Sequence, residues 1–312
     1  MPDAAKILAK LAELTKTVPL LGIIGNTPLL RIEPFEPVAK GAQILAKAEF
    51  RNPGGSIKDR SVLFMILDAL VSGKLGKRRI LDSSSGNAGI AYAMLGAALD
   101  LPVTLVCPGN ASNERRKRIT AHGAELILTD ALLGYDEAHR RAHKLGREQA
   151  DKYCLIDQYN NAANPLAHYT TTGREIIEQC PHVTHLVTGV GTGGTLSGVA
   201  RRLKGHNPKV KVVQIMPDEF PGIEGLKALD DPKVVRPGNF DEKLVDERVH
   251  VEVGEAYTYC RKLARRGLFV GQSSGAYLAV AHVIARREAD AKIVTLLCDT
   301  GERYFSAQLW DA

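Results

Sequence analysis

Asn52-Pro53-Gly54-Gly55-Ser56-Ile57-Lys58-Asp59-Arg60 stands between a mostly apolar run, Ile44 to Phe50, and a strongly apolar helical pattern, Ser61 to Leu70. A lysine placed where a glycine-rich turn opens a helix is a candidate anchor for a cofactor aldehyde. The same nine residues also suit an ordinary strand-to-helix turn with a charged first turn. The rest of the chain decides between the two.

Outward from this stretch, strands and helices alternate. The pattern predicts a strand over Ala42 to Phe50 and a helix over Ser61 to Val71. Arg79 to Asp82 is then a strand, Asn87 to Leu99 a helix, Pro102 to Cys107 a strand, and Ala111 to His122 a helix. Ala124 to Leu128, Tyr135 to Ala150 and Tyr153 to Asp157 continue as strand, helix and strand. The second half repeats the rhythm, with helices over Pro165 to Cys180, Thr195 to Lys204, Gly254 to Arg266 and Gly275 to Arg287. Its strands are His185 to Gly189, Val210 to Ile215, Val249 to Val253 and Lys292 to Leu297. Val103 to Val106 and Ile293 to Leu297 are continuous apolar runs, as in parallel strands covered on both faces. The expected object is a three-layer α/β protein with its ligand at the carboxyl ends of strands.

The chain of 312 residues suits two domains or one large α/β unit. With 45% hydrophobic and 24% charged residues it has the composition of a soluble globular protein. No run approaches the ~20 apolar residues of a membrane span, and Met1 to Thr15 reads as an amphipathic helix rather than a signal peptide. The net charge of +6 is scattered. Its densest runs, Arg115 to Arg118 and Arg201 to Lys204, lack interleaved aromatic residues, which argues against nucleic acid and for a small anionic ligand. Cys107, Cys154, Cys180, Cys260 and Cys298 form no metal-ligand spacing and suggest a reducing, cytoplasmic setting. His139 and His143 share a helical face without further ligands, so no metal is expected.

Three loops follow strands and open helices. Gly189-Val190-Gly191-Thr192-Gly193-Gly194-Thr195 reads as a phosphate cradle, in which small residues let N–H groups converge and the helix start favours an anion. It lacks the lysine of a Walker A loop and the distant acid of a dinucleotide fingerprint. Ser83-Ser84-Ser85-Gly86-Asn87-Ala88-Gly89 offers hydroxyls, an amide and main-chain donors to a carboxylate, although Ser and Asn are also ordinary caps. Gly271-Gln272-Ser273-Ser274-Gly275-Ala276 can cap a helix or present a hydroxyl to a ring nitrogen. A lysine, a phosphate cradle and two hydroxyl-rich helix starts are the parts that pyridoxal phosphate requires.

Together these motifs resemble the cysteine synthase family, within the fold type II pyridoxal-phosphate enzymes. The resemblance runs from Ile24-Gly25-Asn26-Thr27-Pro28-Leu29 to Gly301-Glu302-Arg303-Tyr304-Phe305-Ser306. It implies an α/β/α large domain, a smaller α/β domain and an active site in the cleft between them. Residues 1–49 are expected to pack on the large domain, 50–150 to form the smaller domain that closes over substrate, and 151–312 to form the large one. The resemblance assigns Lys58 to the internal aldimine and to proton transfer, Asn87 to the ring hydroxyl, and Gly191, Thr192, Gly193, Gly194 and Thr195 to the phosphate. Ser273 meets the pyridine nitrogen, and Ser84, Ser85, Ala88 and Gln158 bind the substrate carboxylate. The implied reaction is β-replacement through an α-aminoacrylate. It makes L-cysteine from O-acetyl-L-serine, or O-phospho-L-serine, and a small sulfur donor such as sulfide or thiosulfate, in a homodimer.

The sequence departs from the family at Ala88, where a threonine is common, and at Arg174, where a proline is common; Arg174 is expected to face away from the chemistry. The Ala167 to Thr172 run and Cys298-Asp299 look more like the B type of cysteine synthase than the A type. The turn-rich segment 220–246 is expected at the site entrance. There Lys227 and Arg236 either favour an anionic leaving group or sulfur donor, or are plain surface charges. Cystathionine β-synthase-type condensation with homocysteine is the nearest alternative, and a non-catalytic binding protein of the same fold is a more distant one.

Overall fold

The computed structural model describes residues 2–311 apart from Ser85, Phe220, Pro221, Lys233 and Gln308. Its strands are β1 (Leu29–Ile32), β2 (Gln43–Ala48), β3 (Arg79–Ser83), β4 (Val103–Pro108), β5 (Glu125–Thr129) and β6 (Tyr153–Leu155), followed by β7 (His185–Gly189), β8 (Lys211–Pro217), β9 (Glu247–Val251) and β10 (Lys292–Leu297). They form two sheets, a six-stranded one in the order β1-β2-β10-β7-β8-β9 and a four-stranded one in the order β5-β4-β3-β6. All neighbours are parallel except β1 and β2.

Parallel strands must be joined by crossovers, and the helices that make them cover both faces. They are α1 (Ala4–Thr15), α2 (Lys58–Val71), α3 (Asn87–Ala98), α4 (Asn113–Ala121) and α5 (Gly134–Glu148), then α6 (Ala163–Thr170), α7 (Thr172–Gln179), α8 (Gly194–His206), α9 (Val253–Ala264) and α10 (Gln272–Arg287). Strand alternation divides the core into layers. In the large sheet Val187, Val213 and Ile293 pack with α9 and α10. Their neighbours Leu186, Val212 and Val294 point to the other face, toward α7 and α8. In the smaller sheet Ile80 and Leu105 pack with α2, α3 and α6, whereas Leu81 and Val106 pack with α5. This is the three-layer large domain with a smaller α/β domain of a fold type II enzyme.

Three local features differ from the pattern read in the sequence. The helix expected over 165–180 is two helices, broken at Thr171 (φ −115°, ψ −77°). The hydroxyls of Thr170 and Thr171 donate to the Leu166 and Ala167 carbonyls, side-chain competition that disfavours a continuous helix. β6 pairs with β3, so the smaller sheet continues past residue 150. The N-terminal segment also divides. β1 and β2 join the large sheet, while α1, through Ile7, joins the cluster of α2 and α3. Expected site residues follow the carboxyl ends of β3, β6 and β7 or open α2 and α10, where crossover topology brings loops together.

Candidate active site

Lys58 is the first residue of α2. The turn before it is tight. Gly55 N–H donates to Asn52 C=O at 2.7 Å, and Gly55 has φ +80°, a left-handed conformation that favours glycine. The turn rests on the end of β10, with Ile57 N–H donating to Cys298 C=O at 2.9 Å and Ser56 bridged to Asp299. The lysine is thus held against the large sheet while its helix packs with the smaller domain's core. Lys58 lines a cleft of about 360 Å³ together with Ser84, Asn87, Ala88, Gln158, Gly191 and Thr192. A smaller cavity of about 30 Å³ is lined by Lys58, Gly191, Thr192, Gly193, Thr195 and Cys298. A hollow of about 660 Å³ opens along the 222–228 segment and does not include Lys58.

The loop after β7 is built for close main-chain approach. Gly193 has φ +80°, and a Cβ there would come within 2.6–2.7 Å of Phe240. A Cβ on Gly194 would collide with the Asn164 side chain. Asn164 Nδ2 in turn donates to Thr192 Oγ1 at 3.0 Å and to Gln158 C=O at 2.8 Å. Thr195 Oγ1 lies 3.2 Å from His168 Nε2, and His168 Nδ1 lies 3.1 Å from Thr172 Oγ1. Burial, and then the charges of Arg60 and Lys58, hold the His168 imidazole well below its ordinary pKa, so it is neutral.

The second loop has its donors in place as well. Ser84 Oγ accepts from Gly89 N–H at 2.9 Å and Gly86 N–H at 3.3 Å. Asn87 Nδ2 donates to Asp299 Oδ2 at 2.7 Å, and the same amide carries a second N–H. Gln158 is fixed by three contacts besides the one from Asn164. Its Nε2 donates to Ser83 C=O at 2.8 Å, its N–H to Asp82 Oδ2 at 3.1 Å, and its carbonyl accepts from Asn239 Nδ2 at 2.9 Å. Ser85 lies outside the described residues. Ser273 sits on the first turn of α10, where its hydroxyl meets the thiol of Cys298, a residue that lines the small cavity. Burial pushes that thiol up to about 12, which keeps it protonated and a poor nucleophile.

At the cleft mouth, Lys227 lines the wall with its ammonium 5.1 Å from the Tyr159 ring centre, and burial lowers its pKa. Arg236 is 59% exposed, pairs with Glu242 and lies away from the cleft. Arg174 is 48% exposed and pairs with Glu178. Arg115 of α4 pairs with Glu224 and donates to Arg303 C=O at 3.1 Å, which ties the smaller domain to the mouth of the large one.

Asp299, Tyr304, Asn164, His168 and Asp82 support these loops; in the sequence Asp299, Tyr304 and His168 carry only the family resemblance, and none of the five is assigned a role in the site. Asp299 lies 212 residues from Asn87, and Asp82 lies 76 from Gln158. Tyr304 lines the cleft and donates to Asp299 Oδ2 at 2.7 Å.

The donor set of the small cavity fits a phosphate ester attached to an aldehyde-bearing ring. The N–H groups that begin α8 have no intrahelical partners. Thr192 and Thr195 add hydroxyls, Lys58 adds a cation and an amine, and no acidic residue is among the described residues that line it. The family model for pyridoxal-phosphate-dependent enzymes matches residues 20–299. The chain belongs to that family. It is 45% identical over 301 residues to a cysteine synthase of Aquifex aeolicus, covering 93% of this chain and 91% of the relative. It is 40% identical over 286 residues to cysteine synthase B of Escherichia coli, covering 91% and 93%. The fold also matches the crystal structure of an O-acetylserine-dependent cystathionine β-synthase from Helicobacter pylori with TM-score 0.85 and 32% identity, over 93% of this chain and 98% of that one. The protein is accordingly a pyridoxal-phosphate-family enzyme of the cysteine synthase and cystathionine β-synthase group, which carries out β-replacement on amino acids.

Proposed function

We propose that the protein makes L-cysteine by replacing the β-substituent of O-acetyl-L-serine with a small sulfur donor. The observation that carries this reading is the convergence of Lys58, the Gly191–Thr195 anion loop and the Ser84–Ala88 loop on one cleft. The similarity to cysteine synthases supports the choice of substrate.

Pyridoxal phosphate, when bound, supplies an electron sink for the charge that develops at the substrate Cα. The remaining work belongs to the chain. Gly191, Thr192, Gly193 and Thr195 would hold the phosphate, and Gly194 starts the helix whose first N–H groups would favour it. The second N–H of the Asn87 amide is offered to the ring oxygen. Ser84, the Ala88 main chain and Gln158 hold the substrate carboxylate. Lys58 Nζ would tether the cofactor, and as a free amine would take the Cα proton as general base and return it. Ser273, whose hydroxyl meets the Cys298 thiol, would offer a neutral hydroxyl to the ring nitrogen. Lys227, a partly buried cation at the mouth, favours an anionic donor such as hydrosulfide or thiosulfate.

Cofactor-loaded protein should be offered O-acetyl-L-serine and O-phospho-L-serine, each with sulfide, thiosulfate and homocysteine, and the products identified by mass. The reading expects cysteine from sulfide, and S-sulfocysteine from thiosulfate, with O-acetylserine as the better partner. Cystathionine from homocysteine as the dominant product would replace this reading with the condensing one.

A further inference from the structure

Both main-chain polar groups of Gly54 are taken by charged side chains. Asp59 Oδ2 accepts from Gly54 N–H at 2.5 Å, and Arg303 Nη2 donates to Gly54 C=O. The turn is shaped to admit them. A Cβ on Gly54 would collide with the Asp59 carboxylate, and one on Gly55 would sit 2.9 Å from Arg303 Nη2. Asp59 is fully buried, and Arg303 is 8% exposed. Asp59 Oδ1, Arg303 Nε and Arg303 Nη1 are nevertheless buried without hydrogen-bond partners. Leaving charged groups in this condition costs stability, so the pair is a poor staple. What it does achieve is geometric. Arg303 comes from the segment that carries Asp299, the acceptor of Asn87, and Tyr304, which lines the cleft. The turn before Lys58 and the loop of Asn87 are therefore referenced to one stretch of chain, residues 299–304.

We propose that Arg303 and Asp59 are positioning residues for Lys58, clamping Gly54 from both sides so that the turn delivers the lysine amine to one place in the cleft. Neither touches the reacting atoms. The proposal rests on the reading of Lys58 as the cofactor lysine.

The test uses full-length, cofactor-loaded protein and four variants, Arg303→Met, Arg303→Lys, Asp59→Asn and Lys58→Ala. It reads the visible absorption and its pH profile, kcat and KM for O-acetyl-L-serine, and the thermal midpoint. Arg303→Met is expected to fold, to lose about 10²-fold in kcat, as for displacement of a reacting group by about 1 Å, and to shift the pH profile of the visible band, with KM changed by less than about 3-fold. Arg303→Lys restores part of kcat, because an ammonium reaches one acceptor but lacks the planar fork. Wild-type kcat and band in folded Arg303→Met, or a loss that merely tracks the unfolded fraction, overturns the clamp. If Arg303→Met does not fold, Asp59→Asn decides. It keeps an acceptor for Gly54 N–H but removes the charge facing Arg303, and unchanged kcat and band in it overturn the proposal. Failure of the underlying reading looks different, since Lys58→Ala would then keep the wild-type band.

Discussion

The first turn of α2 is gripped on two flanks by buried charge, and the two grips are built differently. On one flank every nitrogen of the Arg60 guanidinium donates to a buried acceptor. Nε and Nη2 donate to Glu49 at 2.7 and 2.8 Å, Nη1 and Nη2 to Glu175 at 2.6 and 2.8 Å, and Nη2 also reaches Thr27 Oγ1 at 3.1 Å. Lys47 completes the set with 2.7 Å to Glu175 and 2.5 Å to Thr27 C=O. Two cations meet two anions, and all four side chains are at most 4% exposed. Burial pushes the Glu175 carboxyl up, but Arg60 and Lys47 outweigh it and hold the group at about 2. On the other flank Asp59 and Arg303 leave three polar atoms unpaired. A neutral, saturated cluster can be a fold-defining element. An unsaturated pair contributes little to stability and is retained for where it holds the chain.

This contrast can be broken by mutation. Glu175→Gln leaves two buried cations facing one carboxylate, and unfolding in urea should report a loss of about 3–5 kcal/mol. The same titration on Arg303→Met should show less than about 1 kcal/mol, because the unpaired Gly54 carbonyl is offset by removal of a poorly solvated cation. If both variants lose the same stability, the two flanks are not different in kind.

The next effect depends on pH. Burial, only partly offset by Gly54 N–H and Arg303, pushes the Asp59 carboxyl up to about 7 from an ordinary 3.8. A carboxyl whose folded pKa lies above its unfolded value binds its proton more tightly in the folded state. Its favourable contribution is therefore complete below about pH 4, declines as pH rises toward 7, and is gone above. Asp59→Asn removes this dependence. The stability of Asp59→Asn relative to wild type should rise between about pH 4 and 7 by at most about 4 kcal/mol, then level off. A pH-independent difference would place Asp59 outside this scheme. The Glu175 flank has the opposite sign, since its depressed pKa makes stability fall only as pH drops from about 4.5 toward 2.

The smallest effect lies at the rim. Lys227→Ala should lower turnover with thiosulfate relative to sulfide by about 5-fold, the scale of a partly solvated charge interaction, while the flanks of α2 stay as they are. An unchanged ratio removes Lys227 from the choice of donor.

What the sequence disclosed was local. Lys58, Asn87, Ser84 and Gly191 through Thr195 each lie in a few consecutive residues where a strand gives way to a helix, and such stretches carry their own turn chemistry. The βα alternation and the continuous apolar strands disclosed the layers for the same reason. The supports were hidden because they are remote in sequence. Arg303 is 249 residues from Gly54, Asp299 is 212 from Asn87, and Glu175 is 115 from Arg60. No spacing rule links such pairs. The neighbours of Thr171 fit the helical period, and the break there shows only in its backbone and in the hydroxyl-to-carbonyl bonds. Strand β6 joins the smaller sheet from beyond residue 150, and its partner β3 lies some 75 residues earlier.

The central claim is that Lys58 is both cofactor tether and proton carrier in a β-replacement. It is tested most directly by the visible absorption of protein reconstituted with pyridoxal phosphate, followed through addition of O-acetyl-L-serine and then sulfide. Wild type should show a visible band that changes with the amino acid and returns with sulfide as cysteine forms, and Lys58→Ala should show no such cycle, with turnover reduced by at least about 10³-fold. A Lys58→Ala protein that still completes the cycle, or a wild type that binds the cofactor without any change on O-acetylserine, would contradict it.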